Sequence, residues 1–250
     1  MQLDPAFFAV AIPAVVIAGL SKGGFGASAG FASTPLLALV MPPAQAAALM
    51  LPILMAMDVA SLRAYWRRWS WPDARRLMIG AVAGVGLAWA TFRVVSAEMV
   101  QLMVGVIAIV FVLFQIVRSY GLLRPRPGTA GAGSGLFWGT ICGFTSFIAN
   151  AGGPPASMYL LARPLDKTTF QATTVIAFWW VNLIKLPAFL SLGLLQLDMA
   201  RPLAILLPLS LASVLAGVWA HRSISDRWFF RLTYALLLCT GAKLIWDAAT

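Results

Sequence analysis

Ten apolar runs, at residues 6–20, 27–40, 43–62, 77–92, 99–117, 132–149, 152–162, 168–187, 202–219 and 229–246, are separated by short polar stretches. Runs of this length and apolarity predict membrane helices rather than the buried faces of soluble ones. Several are too short to cross alone. At 1.5 Å per residue the 27–40 run rises about 21 Å and the 152–162 run about 17 Å, against a hydrocarbon core of about 30 Å. Each of these two follows a glycine-rich break: Ser21-Lys22-Gly23-Gly24-Phe25-Gly26 in one case, Asn150-Ala151-Gly152-Gly153-Pro154-Pro155 in the other. A shift of 124 residues brings Gly19, Ser21 and Lys22 onto Gly143, Thr145 and Ser146, and the register continues to Asp58 and Ser61, opposite Asn182 and Lys185. Because 124 is about half of 250, the chain reads as one unit written twice.

Composition agrees: 61% of residues are hydrophobic and 10% charged, where a soluble domain carries about a quarter charged. The first run has only Asp4 as a charge before it, with no basic n-region, and reads as a retained membrane element rather than a signal peptide. Cys142 and Cys239 lie inside apolar runs and read as packing residues. No metal-ligand spacing and no cofactor motif occurs. The net charge of +10 is not a nucleic-acid footprint, because the arginines sit in short connections. Arg63, Arg67, Arg68, Arg75 and Arg76 crowd one; Arg118, Arg124 and Arg126 another; Arg222 and Arg227 a third, beside His221. Basic loops flanked by Trp66, Trp69, Trp71, Trp219 and Trp228 mark a cytoplasmic face and its headgroup belt, so the partner is a lipid bilayer.

The same charges separate the halves. By repeat register the Arg-rich stretch 63–76 corresponds to 187–200, which holds Asp198 and no basic residue. Equivalent loops on opposite sides predict an inverted repeat. The expected fold is an all-α polytopic membrane protein of two inverted structural repeats, each a Gly/Pro-broken or re-entrant helical hairpin followed by three transmembrane helices. The first repeat spans 1–120, a cytoplasmic linker 121–131, and the second repeat 132–250. The N-terminus is expected outside, with Lys22, Arg163 and Lys167 toward the cytoplasm or at a hairpin tip.

Paired breaks at matching positions of two apolar halves point to a carrier's substrate site. Gly23, Gly24 and Gly26, with Gly152 and Gly153, would open short helices whose first amides can receive an anion; alternatively they let helices pack closely. Ser21, Thr145 and Ser146 offer hydroxyl donors, and Lys22 a positive charge unless it snorkels to a cytoplasmic turn. Asp58 is a carboxylate within an apolar helix, at the repeat position of Asn182. It is either a proton-coupling group or the partner of an interfacial arginine. Lys185 shares a helix face with Asn182 and either attracts anions or snorkels outward. Gln171, beside Thr173 and Thr174, is a second coupling or gating candidate, or an inter-helix hydrogen-bonding residue. Trp179 and Trp180 line a passage or anchor the interface.

In these residues the chain resembles the sulfite exporter TauE/SafE family. The matching stretches are Gly19 through Gly26 and Thr34 to Leu37, Pro42 to Ala47, and Leu51 to Asp58; in the second half they are Ala151 to Pro155, Tyr159 to Leu161, Leu165 to Thr169, Ala172 to Thr174, and Asn182 to Pro187. The resemblance implies a bacterial inner-membrane carrier exporting a small sulfur-containing oxyanion, sulfite or an organosulfonate. Alternating access is the expected cycle, with a proton as candidate coupling ion. In similar relatives the residue before Ala-Gly-Gly is often histidine; here it is Asn150, which does not titrate, so a proton relay there is not carried over. The rivals are an intramembrane hydrolase and a non-transporting sensor. The lone histidine, His221, falls in a basic loop, which leaves an enzyme only a Ser–Lys pair with Lys22 or Lys185. No enzyme is expected, and the pattern fixes no oligomeric state.

Overall fold

The computed structural model describes residues 4–25, 30–121, 131–220 and 226–249, and these are helical throughout with short connections. Gly26, Arg124, Arg126, His221 and Arg222, and most of the expected linker, lie outside the described residues. Among the described residues ten α-helices follow one another: α1 Pro5–Leu20, α2 Ser33–Leu37, α3 Pro43–Ala64, α4 Trp71–Phe92, α5 Ala97–Ser119, α6 Ala132–Ala149, α7 Gly153–Leu161, α8 Lys167–Ser191, α9 Ala200–Ala220 and α10 Asp226–Ala249. Six segments among them are long and apolar enough to cross a membrane, and the protein is a multi-pass membrane protein.

Local chemistry sets the helix starts. Asp4 caps α1, its Oδ1 accepting from the Phe7 N–H at 2.8 Å, and Pro5 opens the first turn. Asp166 caps α8 in the same way, accepting from the Thr168 and Thr169 amides at 2.9 and 3.0 Å. The four hydrogen bonds that hold its carboxylate, two of them to Thr169, keep it below the usual carboxylate range. Two expected boundaries are corrected. α4 starts at Trp71, six residues before its apolar run, because Pro72 suits a first turn and Asp73 follows it; Arg75 and Arg76 are therefore helical rather than in a loop. α8 continues through Pro187 to Ser191.

Both short helices fold back on the helix before them. α1 ends in a single π-helical turn, Ser21–Phe25, and the chain returns through a 3₁₀ turn, Gly30–Ala32, and α2, packed along α1. Asp4, Phe7, Met41 and Pro42 line one recess, so the hairpin returns to the end where it began. In the second half α7 returns along α6 until the Tyr159 ring lies over Gly135. The break between α6 and α7 is made by Asn150, in the left-handed region at φ 54°. Its N–H donates to the Ser146 carbonyl and the next amide, Ala151, to that of Thr145, at 2.9 and 3.2 Å. This is the usual way a helix closes its last carbonyls, and asparagine tolerates the conformation better than most side chains.

The long helices pack as reciprocal pairs: α1 with α9, α4 with α6, α3 with α8, and α5 with α10. α3 and α8, which begin 124 residues apart, run antiparallel: Asp58 meets Asn182, while Leu62, one turn on, packs with Val175 and Ile176. α5 and α10 are also antiparallel, Gly105 facing Ile245 and Gly241 facing Ile109. Glycines set the closest crossings. A Cβ on Gly84 would lie 1.9 Å from the Thr140 carbonyl oxygen, and one on Gly143 would lie 2.3 Å from that of Ala81, so the α4 and α6 backbones touch. Gly84→Leu must force these helices apart and is expected to cost about 1–3 kcal/mol or more, a fall of about 3–10 °C in the melting temperature of detergent-solubilised protein. Gly86→Leu, where nothing lies within 4 Å, is expected to melt with the wild type.

Candidate functional site

The two hairpin tips meet against the middle of α3 and α8. Lys22, from the π-helical turn of the first tip, reaches α3, where its Nζ donates to Asp58 Oδ1 and to the Leu54 carbonyl at 3.2 Å. Asn150, at the second tip, donates through Nδ2 to Thr34 Oγ1 of α2 at 2.8 Å and to the Ala47 carbonyl of α3 at 3.3 Å. α8 supplies Asn182 and, one turn on, Lys185. Asn182 Nδ2 donates to Asp58 Oδ2 at 2.7 Å, and Lys185 Nζ donates to Asn182 Oδ1 at 3.2 Å, to Ser146 Oγ at 3.3 Å and to Asn150 Oδ1. Both amides are thereby oriented, oxygen toward an ammonium and nitrogen toward oxygen acceptors.

One continuous polar chain therefore crosses the bundle interior from Leu54 through Lys22, Asp58, Asn182, Lys185 and Asn150 to Thr34. Its members are withdrawn from the surface: Asp58 is 1% exposed, Lys185 0% and Asn182 4%. Buried ionic groups persist only when paired and fully hydrogen-bonded. Lys22 has a carboxylate. Lys185 is held by three neutral oxygens, with the Phe189 ring 5.7 Å from its Nζ. The described cluster therefore holds two lysine amines and one carboxyl group.

Against it lies a cavity of about 20 Å³, lined by Lys22, Ser146, Asn150, Gly153 and Asn182 and closed by Phe31, Leu54 and Phe178. That volume holds about one water molecule. The conformation is thus closed to any polyatomic ligand, though the lining offers Lys22 and several hydrogen-bond donors, with Lys185 one hydrogen bond behind Ser146, Asn150 and Asn182.

Several residues expected at the site take other places. Asp58 pairs with Lys22 and Asn182 rather than with an interfacial arginine, and neither Lys22 nor Lys185 snorkels outward. Ser21 is fully buried beside Gly30. Thr145 turns its hydroxyl onto the Ile141 and Ala151 carbonyls, at 2.9 and 3.0 Å, and so braces the break. Gly23 packs on Gly217 of α9, Gly152 lies against Cys142 and the Phe178 ring, and Gly24 lies within the π-helical turn. Gln171 is eleven residues before Asn182 on α8, about 16 Å along the helix, and stands apart from the cluster. The expected row of helix-start amides is also reduced. Pro154 and Pro155 carry no N–H, and the Ala156 amide donates to the Gly152 carbonyl, so most donors come from side chains.

A second buried cluster was not anticipated from the sequence. Asp73 accepts from Ser70 Oγ at 2.6 Å and Tyr159 Oη at 2.7 Å, and pairs with Arg163 Nε at 2.9 Å and Arg76 Nη1 at 3.6 Å. The Ser70 N–H donates to Thr173 Oγ1 at 2.9 Å. It ties the start of α4 to the α7–α8 connection. A lone acid among five arginines in an apparent loop was its only sequence signal.

No curated protein and no solved structure matches the chain. The profile of the sulfite exporter TauE/SafE family matches residues 11–244. With nearly the whole length matched, the chain belongs to the sulfite exporter TauE/SafE family, a family of membrane exporters of sulfite and related sulfur anions.

Proposed function

We propose that the protein exports a small sulfur oxyanion, sulfite or an organosulfonate, by alternating access around the cavity between the hairpin tips. The observation that carries this reading is the set of groups gathered beside that cavity: two buried lysines against a single carboxyl group, with Lys185 held only by neutral acceptors among the described residues. An oxyanion is the ligand that such a lining suits, with Lys22, Ser146, Asn150, Asn182 and Lys185 as its contacts. Ser21, Thr145 and the break glycines would hold those contacts in place. The one-water volume requires the site to open before anything enters, which favours a cycle with a closed intermediate.

In this reading residues 1–120 and 132–250 are inverted repeats. Three observations support it: α3 and α8 occupy equivalent positions and run antiparallel, the long helices pack reciprocally, and Asp58 touches its own repeat equivalent. The basic loops would face the cytoplasm of a bacterial inner membrane and the N-terminus the periplasm. Asp58 is the candidate carrier of a coupled proton.

The test is flux of an anion panel (sulfite, sulfate, simple sulfonates, nitrate) into proteoliposomes, with and without an imposed pH gradient. Saturable flux of sulfur oxyanions that the gradient alters is expected; absence of flux for every anion would overturn the reading. One observation favours a hydrolase: Lys185 Nζ lies 3.3 Å from Ser146 Oγ, the contact a Ser–Lys pair needs. Ser146→Ala separates the two, because a lost hydroxyl removes a nucleophile entirely but only one of several contacts to an anion.

A further inference from the structure

The charge inventory around Asp58 carries a rule for what accompanies the anion. Asp58 holds Lys22 through Oδ1 and accepts from Asn182 through Oδ2, so its carboxylate occupies donors that line the cavity. It stands where a ligand's oxyanion would otherwise take them. Among the described residues the charged groups facing it are Lys22 from the first hairpin and Lys185 from α8. α1, α2 and α6 contain no charged residue, and Cys142 of α6 is the titratable neighbour of Lys185. Glu98 of α5 and Arg201 of α9 sit exposed at their first turns, and Arg63 of α3 is exposed beyond Asp58.

A net charge buried in a membrane interior is unfavourable, and a filled, closed site is stable in proportion to its neutrality. With both lysines charged and Asp58 ionised the empty cluster carries one positive charge, and a monoanion brings it to zero. A dianion does so only if Asp58 takes up a proton. We infer that Asp58 sets the number of protons accompanying each anion: none for a monoanionic sulfonate, one for a dianion such as sulfate. In the second case the proton comes from the water phase and forms an O–H bond on the Asp58 carboxylate. The Lys22 N–H that pointed at Oδ1 then turns to the anion. The inference rests on the anion-carrier reading above.

Sulfate and methanesulfonate have nearly the same shape and differ by one charge. Calorimetric titration of each into the detergent-solubilised protein, in buffers of different ionisation enthalpy, counts the protons taken up on binding. About one proton per sulfate and about none per methanesulfonate is expected for the wild type, and this contrast decides the matter without any variant. In Asp58→Asn, sulfate is expected to bind without proton uptake and methanesulfonate to bind more weakly. Equal proton numbers for the two anions, or failure of either to bind, would overturn the rule. Flux with equal proton numbers leaves the carrier reading standing, whereas absence of flux for every anion removes both.

Discussion

Lys185→Met is expected to lower anion flux by about 100-fold or more while leaving a folded protein. Lys22→Met is expected to do the reverse of what its charge alone suggests, and damage the fold first. Both ammoniums are buried and line up on the same polar chain, yet they answer to different partners. Lys185 donates to three neutral oxygens, so its removal strands no charge. The remaining hydroxyl and amides can hydrogen-bond among themselves, and methionine fills a similar volume. What disappears is a charged donor to the anion; two charge-assisted hydrogen bonds of about 1.5–3 kcal/mol each correspond to a loss of about 100-fold or more. Lys22, by contrast, is the cationic partner of a carboxylate that is 1% exposed. Removing one member of a buried pair costs about 3–5 kcal/mol because the other is left uncompensated. The double variant Lys22→Met/Asp58→Asn is therefore expected to recover most of the melting temperature lost in Lys22→Met. Thermal melting in detergent and sulfite flux in proteoliposomes read the two effects separately. Wild-type flux in Lys185→Met, or an undiminished melting temperature in Lys22→Met, would contradict this assignment.

The difference between the two lysines shows what a linear sequence exposes. The breaks at Ser21–Gly26 and Asn150–Pro155 were legible because each joins clustered glycines to polar residues inside an apolar run, and the 124-residue shift carries the first up to the start of the second. The equivalence of Asp58 with Asn182 followed from that register. The direct contact between them is a statement about α3 against α8, which only the packed bundle supplies. Asp58 lay close enough in sequence to Arg63 for an interfacial pair to be reasonable. Its actual partner, Lys22, is 36 residues away and reaches it only because the first hairpin carries its tip back into the bundle. Thr145 and Ser146 looked interchangeable as hydroxyl donors. A helix turns adjacent residues about 100° apart, so Ser146 faces Lys185 while Thr145 faces the backbone of its own break. Gln171 was singled out for polarity alone, and rise along α8 removes it from the cluster. Asp73 was hidden for the opposite reason: read as a loop residue, it became a buried one once α4 began at Trp71.

Asp73→Ala is expected to loosen one end of the molecule selectively. Asp73 is 3% exposed and gathers Ser70, Tyr159, Arg76 and Arg163, drawn from α4 and its preceding turn on one side and α7 with the following turn on the other. The repeat register gives Leu194, Leu197 and Ala200 at the positions equivalent to Ser70, Asp73 and Arg76. It gives Pro35 and Leu39 at those of Tyr159 and Arg163. The polar tie has no counterpart in the other half, and Leu197 there is 96% exposed. In the proposed cycle the two ends therefore part at different cost, and the Asp73 end holds the closed conformation. The arginines are partly exposed, so the loss on removing the carboxylate is about 3 kcal/mol rather than the full cost of a buried pair. That corresponds to about a 100-fold rise in the open population. Ala177, 2% exposed on α8 between Thr173 and Asn182, is a suitable reporter. With Cys142 and Cys239 replaced by alanine, an Ala177→Cys protein should react with a water-soluble thiol reagent about 100-fold faster in the Asp73→Ala background. Leu197→Ala should leave its rate unchanged. Equal acceleration by both substitutions would show that general loosening, rather than a one-ended tie, governs access to the interior.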